Sequence, residues 1–229
     1  MITPTHNHIV KSFDAELDRL ADEITAMGDA ALAQVEGVLR ALQRRDAALA
    51  QQVIDGDDAI DAREREIGHK ALRLLALRQP TARDLREVLA AIRIAADIER
   101  IGDHTVAIAR LSLANGDDAT IPDDLFAMGA LAGAIAREAM AAWQAQDVAL
   151  AQAAWVRDDE LDRGHAQFVR ITVDALRARP ERAADAMRRL FVAKNLERIG
   201  DHASNIAENV CFLVEGESGV SMRDRCGSL

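Results

Sequence analysis

The chain has 229 residues, of which 49% are hydrophobic but only 3% are aromatic, and none is tyrosine. Its formal net charge of -10 at pH 7 argues against a nucleic-acid backbone or an anionic membrane as the main partner, because both repel an acidic surface. The length allows one large domain or two small ones, and the abundance of Ala, Leu, Arg, Asp and Glu favours helices over strands.

The sequence does not predict export or membrane insertion. Residues 1–13 lack the apolar core of a signal peptide, and no apolar run approaches the ~20 residues of a membrane-spanning helix. The two cysteines, Cys211 and Cys226, lack the spacing of a metal site and indicate a reducing compartment. We therefore predict a cytoplasmic protein.

Long segments with apolar residues at helical spacing, separated by few prolines, predict six helices. Proline-containing turns at 79–81 and 179–181 separate the second helix from the third and the fifth from the sixth. A polar linker is predicted at 114–122, and a flexible tail at 215–229. The predicted helices span about 9–44, 46–79, 81–113, 123–145, 147–178 and 181–214.

The two halves of the chain repeat each other. Residues 43–61 and 144–162 are identical at nine of nineteen positions, and the six-residue sequence ERIGDH occurs at both 99–104 and 197–202. These repeats predict a tandem duplication of a three-helix unit. The predicted fold is all-α, with two tandem, pseudo-symmetric antiparallel three-helix bundles at 8–113 and 123–214.

Acidic residues recur on one face of the predicted helices. Glu99 and Asp103 are four residues apart, so their side chains share a face of the third helix. If the chain reverses near Pro80, Asp57 lies level with Asp103 and Asp61 with Glu99. Four carboxylates are therefore expected to meet in the first hairpin.

The second copy repeats this arrangement around Pro180. There, Asp158 lies level with Asp201, and Asp162 with Glu197. Close carboxylates repel and raise one another's pKa, so each cluster needs a cationic partner. Arg100 and Arg198 are predicted to turn away from the acids, which favours a bound metal ion.

An all-oxygen ligand set suits Mg, Mn or Ca, and carboxylate-rich sites also hold Fe and Zn. Glu64 and its counterpart His165 face the carboxylates, and Glu208 lies on the matching face of the last helix. His104 and His202 turn away, which favours a role at the helix surface or in hydrogen bonds between helices over metal binding. The predicted ligands are Asp57, Asp61, Glu64, Glu99 and Asp103 in the first copy and Asp158, Asp162, His165, Glu197, Asp201 and Glu208 in the second.

Catalytic signatures are missing from the sequence. It has no glycine-rich phosphate loop, no nucleophile elbow and no spacing typical of a Ser/His/Asp site. Gly102 and Gly200 lie within predicted helices, which favours close packing between helices over a loop. We predict a protein that is not an enzyme. Two alternatives remain open: a carboxylate-bridged metalloenzyme in a helical bundle, and a structural adaptor whose acids are ordinary surface residues without metal.

The motifs resemble those of a known family. Asp57-x-x-x-Asp61, the segment 79–86 (QPTARDLR) and the segment 97–104 (DIERIGDH), with a second set at 158–162 and 195–202, resemble the PhoU family of phosphate-transport accessory proteins. The resemblance extends from about residue 8 to residue 214. The second copy departs from it at 179–186, and the first copy has Ala107 and Arg110 where the second has Asn205 and Glu208.

The resemblance implies two symmetric three-helix bundles that bind metal clusters through the paired acids of both copies. It also implies a cytoplasmic negative regulator of phosphate-starvation signalling and phosphate uptake. The implied partners are the sensor histidine kinase of the phosphate regulon and the ATPase of the phosphate-specific ABC transporter. It further implies a homodimer that reaches the membrane only through these partners.

Overall fold

The structure, a computed structural model, describes residues 5–77, 82–113 and 122–216. These residues form seven α-helices and one short 3-10 helix, with no strand among them. The fold is all-α, as predicted. The helices are α1 (Thr5–Arg44), α2 (Ala47–Asp55), α3 (Asp57–Leu77), α4 (Ala82–Leu113), α5 (Asp123–Ala145), α6 (Val148–Ala178) and α7 (Ala183–Glu215), with the 3-10 helix at Pro180–Arg182 before α7.

The helices form two tandem three-helix bundles. The first contains α1, the pair α2 and α3, and α4, and the second contains α5, α6 and α7. Apolar side chains from every helix form the core, and the largest fully buried ones include Ile24, Ile98, Leu161 and Ile206. The division into domains at 8–113 and 123–214 stays a prediction.

The same turn joins the first and second helices of each bundle. Arg45 and Gln146 occupy equivalent positions and both have positive φ, at 55° and 48°. The next residue caps the following helix in each copy. The Asp46 carboxylate accepts from the Leu49 backbone N–H at 3.0 Å, and that of Asp147 accepts from two backbone N–H groups at the start of α6. The duplication therefore preserves helix capping as well as the motif.

One predicted helix is divided. The sequence pattern predicts a single helix over 46–79, but the structure ends α2 at Asp55 and begins α3 at Asp57. Gly56 lies at the break, and the Gln34 side chain from α1 donates to the Val53 carbonyl at 3.4 Å. The second copy has Arg157 in place of Gly56, and α6 runs through this position without a break.

The bundles contact each other chiefly through α4 and α7, with a second contact between α1 and α5. The rings of His104 and His202 stack at the centre of the α4–α7 contact, 5.5 Å apart between centroids. His104 is hydrogen-bonded to Asn195 of α7, and His202 to Asp97 of α4, each at 2.9 Å. Both histidines therefore form hydrogen bonds between helices, which is one of the two predicted roles, and the helices that they join belong to different bundles.

Helix α5 is long and apolar enough to cross a membrane by length and composition alone. It packs against α1, α6 and α7, and eleven of its residues, from Leu125 to Trp143, are buried. We therefore interpret α5 as a core helix. The predicted turn at 79–81, most of the linker at 114–122 and most of the tail at 215–229 lie outside the described residues.

Candidate metal centre

The first acidic cluster lies between α3 and α4. Burial raises the pKa of Asp57 above its ordinary value, and the nearby carboxylates of Asp61 and Asp103 raise it further. Burial likewise raises the pKa of Glu99, and Asp103, Asp61 and Glu64 contribute. The structure therefore brings together all five acids predicted for the first copy.

The second cluster lies between α6 and α7 and is tighter. The carboxylates of Asp162, Glu197 and Asp201 each offer one oxygen, and these three oxygens all lie within 4.8 Å of one another. His165 lies beside this group but outside the 4.8 Å limit, with its Nδ1 atom 3.9 Å from Glu197 Oε1. In the first copy, no three acids among the described residues meet this 4.8 Å limit.

Asp158 lies one helical turn before Asp162 and is the most perturbed acid of the second cluster. Burial raises its pKa to about 6, and the charges of Asp162 and Asp201 add to the rise. Ser204 lies beside the Asp158 carboxyl and favours its charged form, although the hydroxyl makes no hydrogen bond of normal geometry. Burial is therefore the main reason why Asp158 favours its protonated form.

The pKa of Asp162 and that of Asp201 are also raised, in each case first by burial. For Asp162, the next causes are the charges of Asp201 and Glu197, while His165 opposes the rise. For Asp201, Glu197 raises the pKa and Arg198 opposes the change. The second cluster is therefore a half-buried concentration of mutually repelling carboxylates.

The glycine of each ERIGDH motif makes room for one of these acids. A Cβ atom at Gly102 would lie 3.0 Å from Asp57 Oδ1, and one at Gly200 would lie 2.6 Å from Asp158 Oδ1. Both Oδ1 atoms are buried and have no hydrogen-bond partner. The two glycines therefore serve close packing between helices, as predicted, and each leaves a carboxylate oxygen in a confined space.

The two glycines are expected to respond differently to alanine. Gly200→Ala places a methyl group against both Asp158 and the side chain of Leu161, which is fully buried. We expect it to lower the free energy of unfolding by about 1–3 kcal/mol, the range for an overpacked site. In Gly102→Ala the new methyl group lies 3.0 Å from Asp57 Oδ1, which is further than the 2.6 Å between the new methyl group of Gly200→Ala and Asp158 Oδ1. Alanine also stabilises the helix by about 1 kcal/mol relative to glycine.

Gly102→Ala is therefore expected to be near neutral, which makes it the matched control for Gly200→Ala. Urea unfolding of both variants measures the difference. Equal losses in the two variants would contradict the packing described here.

Loss of the proton from Asp158 is expected to make the metal-free protein less stable as pH rises. Its pKa of about 6 in the folded state exceeds the ordinary 3.8, so the folded state holds the proton more tightly than the unfolded state. The stabilisation is present below about pH 4 and is lost as pH rises through about 6. Asp158→Asn should reduce this loss, as measured by urea unfolding between these pH values with chelator present.

The exposed neighbour Asp159 provides the control for this measurement. Asp159→Asn removes the same charge one residue away. Because Asp159 is the smallest of the causes that raise the pKa of Asp158, this variant should keep most of the wild-type loss of stability between about pH 4 and about pH 6. If Asp158→Asn also keeps the full loss, Asp158 is not the group that causes it.

Basic side chains contact both clusters, contrary to the sequence prediction. Arg100 Nη1 lies 2.9 Å from Asp103 Oδ2 and its Nε lies 3.3 Å from Glu99 Oε2, while Arg198 Nη1 lies 3.2 Å from Asp201 Oδ2. The helical positions point away from the acids, but the long arginine side chains bend back along the surface. Lys194 also pairs with Glu197.

Sequence reasoning missed Lys194 and Ser204. Both are spaced to share a face of α7 with Glu197 and Asp201, three residues before Glu197 and three after Asp201. That spacing could have identified them. Glu208 has a different position: it lines a cavity of about 400 Å³ between α4 and α7, together with Arg93 and Asp97. None of the other predicted ligands lines that cavity.

The residues present fit a metal ion. Both clusters contain a buried carboxylate oxygen without a partner, held in a space that a Cβ atom would fill. Carboxylate oxygens suit hard divalent ions. The imidazole of His165 adds a nitrogen ligand to the second cluster, and a nitrogen ligand favours Zn and Fe. An ion in the second copy would be held by Asp162, Glu197, Asp201 and His165. An ion in the first copy would be held by Asp61, Glu99 and Asp103, whose oxygens do not all lie within 4.8 Å of one another, so these side chains would have to move closer together. Metal binding itself stays a prediction.

Two similar bundles with an acidic cluster on the last helix pair of each define a tandem-repeat helical protein. The family model for the PhoU domain matches residues 24–112 and 125–210. The chain belongs to the PhoU family.

Similar proteins span almost the whole chain. A phosphate-specific transport system accessory protein PhoU homolog of Xylella fastidiosa is 42% identical over 99% of this chain and 96% of its own length. A homolog of Caulobacter vibrioides is 39% identical over 95% of this chain and 96% of its own length.

Solved structures agree with this assignment. The crystal structure of PhoU from Pseudomonas aeruginosa has a TM-score of 0.87 and 34% identity, covering 90% of this chain and all of that one. The phosphate transport system regulatory protein PhoU from Streptococcus pneumoniae has a TM-score of 0.84 and 27% identity, covering 90% of this chain and 98% of that one.

Proposed function

We propose that this chain is a cytoplasmic, non-enzymatic regulator that lowers phosphate uptake and phosphate-starvation signalling when phosphate is plentiful. The observation that carries the proposal is its 42% identity, over almost its full length, to a phosphate-specific transport system accessory protein. The name of the Streptococcus pneumoniae structure, a phosphate transport system regulatory protein, supports the same role.

The acidic clusters provide the proposed metal sites. The acids face one another and the surface basic residues, and their raised pKa values follow from burial and mutual repulsion. We propose that they bind Fe, Zn, Mn or Mg through the carboxylates and so stabilise the bundles. In this proposal the folded, metal-loaded chain contacts the sensor histidine kinase and the ATPase of the transporter, and acts as a homodimer.

Deletion of the gene tests the regulatory role. In phosphate-rich medium, the deletion strain should express phosphate-starvation genes and take up more phosphate, and the wild-type gene supplied in trans should restore repression. Unchanged repression and uptake in the deletion strain would count decisively against the proposal. Co-purification of tagged protein with the kinase and the ATPase tests the proposed partners separately.

A metal-free adaptor is the second candidate. The contacts of Arg100 with Asp103 and of Arg198 with Asp201 favour it, because these guanidinium groups offset part of the repulsion without an ion. Elemental analysis of protein purified without chelators separates the two candidates. About one or more metal ions per cluster supports metal binding, and metal-free protein with normal regulation supports the adaptor.

A further inference from the structure

The two acidic clusters differ at equivalent positions that face the carboxylates. Position 64 in α3 is Glu, and its equivalent in α6 is His165. Position 106 in α4 is Val, and its equivalent in α7 is Ser204. The duplication therefore kept the ERIGDH motif but changed the donor atoms around it.

His165 is placed to act as a ligand together with the acids of the second cluster. Its Nδ1 atom lies 3.9 Å from Glu197 Oε1, and the side chain is only 18% exposed. The imidazole also lies close enough to Asp162 to oppose the rise in its pKa. Two ligands bound at ~2.1 Å to one ion lie roughly 3–3.5 Å apart, so small side-chain rotations bring these atoms to bonding distance.

Ser204 gives an independent indication that the second cluster is built for a ligand. The residue is 6% exposed, and its hydroxyl has no hydrogen bond of normal geometry. It lies beside the Asp158 carboxyl, whose Oδ1 atom is also buried and without a partner. Buried polar atoms without partners are rare. The Ser204 hydroxyl is close enough to Asp158 to favour its charged form, and a polar ligand or ion would complete the bonding of the carboxylate oxygens that the hydroxyl does not reach.

The first cluster offers a different donor set. Glu64 supplies a carboxylate where the second copy has imidazole, and it acts on Glu99. Arg110 lies close enough to Asp57 to lower its pKa, which reduces the negative potential available to an ion. The first cluster therefore offers only oxygen ligands, and its electrostatic potential is made less negative by Arg110.

We propose that the clusters select different ions: the second is specific for a borderline transition ion such as Zn²⁺, with His165 as its nitrogen ligand, and the first is specific for hard ions such as Mg²⁺. Imidazole favours Zn²⁺, whereas sites made only of carboxylates favour Mg²⁺ and Mn²⁺. The inference rests on the metal binding proposed above. Position 64 and its equivalent, His165, determine the specificity of each cluster.

The test is calorimetric titration of the full chain with Zn²⁺ alone and with Mg²⁺ alone. His6→Gln and His8→Gln form the background, so that two histidines close together in the sequence do not contribute to Zn²⁺ binding. In this background, His165→Glu should weaken the tighter Zn²⁺ binding by about tenfold or more and leave Mg²⁺ binding at least as strong. Glu64→His should create a tight Zn²⁺ site in the first cluster, so that the chain has two such sites.

The control is His69→Gln, which removes an exposed histidine outside the clusters and should leave both titrations unchanged.

A spectroscopic measurement identifies the ligand independently of the affinity. In ¹H–¹⁵N spectra of the imidazole rings, the signal that shifts when Zn²⁺ is added to the wild-type chain should be absent in His165→Glu.

The outcomes are distinct. If Zn²⁺ and Mg²⁺ both bind but their ratio of affinities does not change in His165→Glu, the specificity inference is overturned and the proposed metal binding stands. If neither ion binds the wild-type chain, both are overturned.

Discussion

Removal of metal is expected to destabilise the protein by about 2.7 kcal/mol for each site that is held at a hundredfold excess over its Kd. The reason is that an ion bound only by the folded state adds its binding free energy to folding. Glu197→Gln combined with Asp201→Asn should abolish this increment in the second bundle. Without metal, the same variant should be slightly more stable than wild type, because the repulsion among the carboxylates falls.

Melting curves with chelator and with Mg²⁺, Mn²⁺ or Zn²⁺ measure both effects. Asp22→Asn combined with Asp29→Asn is the control, since these exposed acids of α1 lie outside the clusters and give the same change in net charge. The control should keep the full metal-dependent increase in Tm. Identical melting of the wild type in chelator and in metal would show that the clusters are ordinary surface acids.

Leu161→Ala is expected to lower the free energy of unfolding by about 2–5 kcal/mol, the range for loss of a fully buried leucine. Leu161 lies between Asp158 and Asp162 on α6 and packs against Gly200 of α7. Its loss opens a cavity where the two helices approach most closely. The variant should therefore also weaken metal binding at the second cluster, because Asp158 and Asp162 lose the support that holds them against α7.

Two further variants sharpen this prediction. Val156→Ala on the same helix shortens the side chain of a residue that is 52% exposed. It should change the free energy of unfolding by no more than about 0.5 kcal/mol. The double variant Leu161→Ala with Gly200→Ala should cost less than the sum of the single changes, since the new methyl group enters the space that Leu161 leaves. Additive costs would contradict direct packing between these two residues.

Much of the site could be predicted because helical periodicity and a short hairpin determine which residues face each other. Glu99 and Asp103 share a face by their spacing, and the predicted reversal near Pro80 placed Asp57 and Asp61 level with them. The duplication added support, because the same pairing recurs around Pro180. The role of Gly102 and Gly200 in close packing followed from their position within a continuous helical pattern.

Other features could not be predicted for physical reasons. The contacts of Arg100 and Arg198 depend on the rotamers of long, flexible side chains, which a helical position does not determine. The break at Gly56 depends on the Gln34 side chain of another helix. The contact of His104 with Asn195 requires the arrangement of one bundle against the other, which local spacing does not contain.

Anomalous diffraction from crystals soaked in Zn²⁺ or Mn²⁺ tests the central claim most directly. We expect an anomalous peak bounded by Asp162, Glu197 and Asp201, with Zn²⁺ also bound to His165, and a Mn²⁺ peak at the first cluster near Glu99. The absence of any peak within bonding distance of these carboxylates, with Arg100 and Arg198 still on Asp103 and Asp201, would contradict the account.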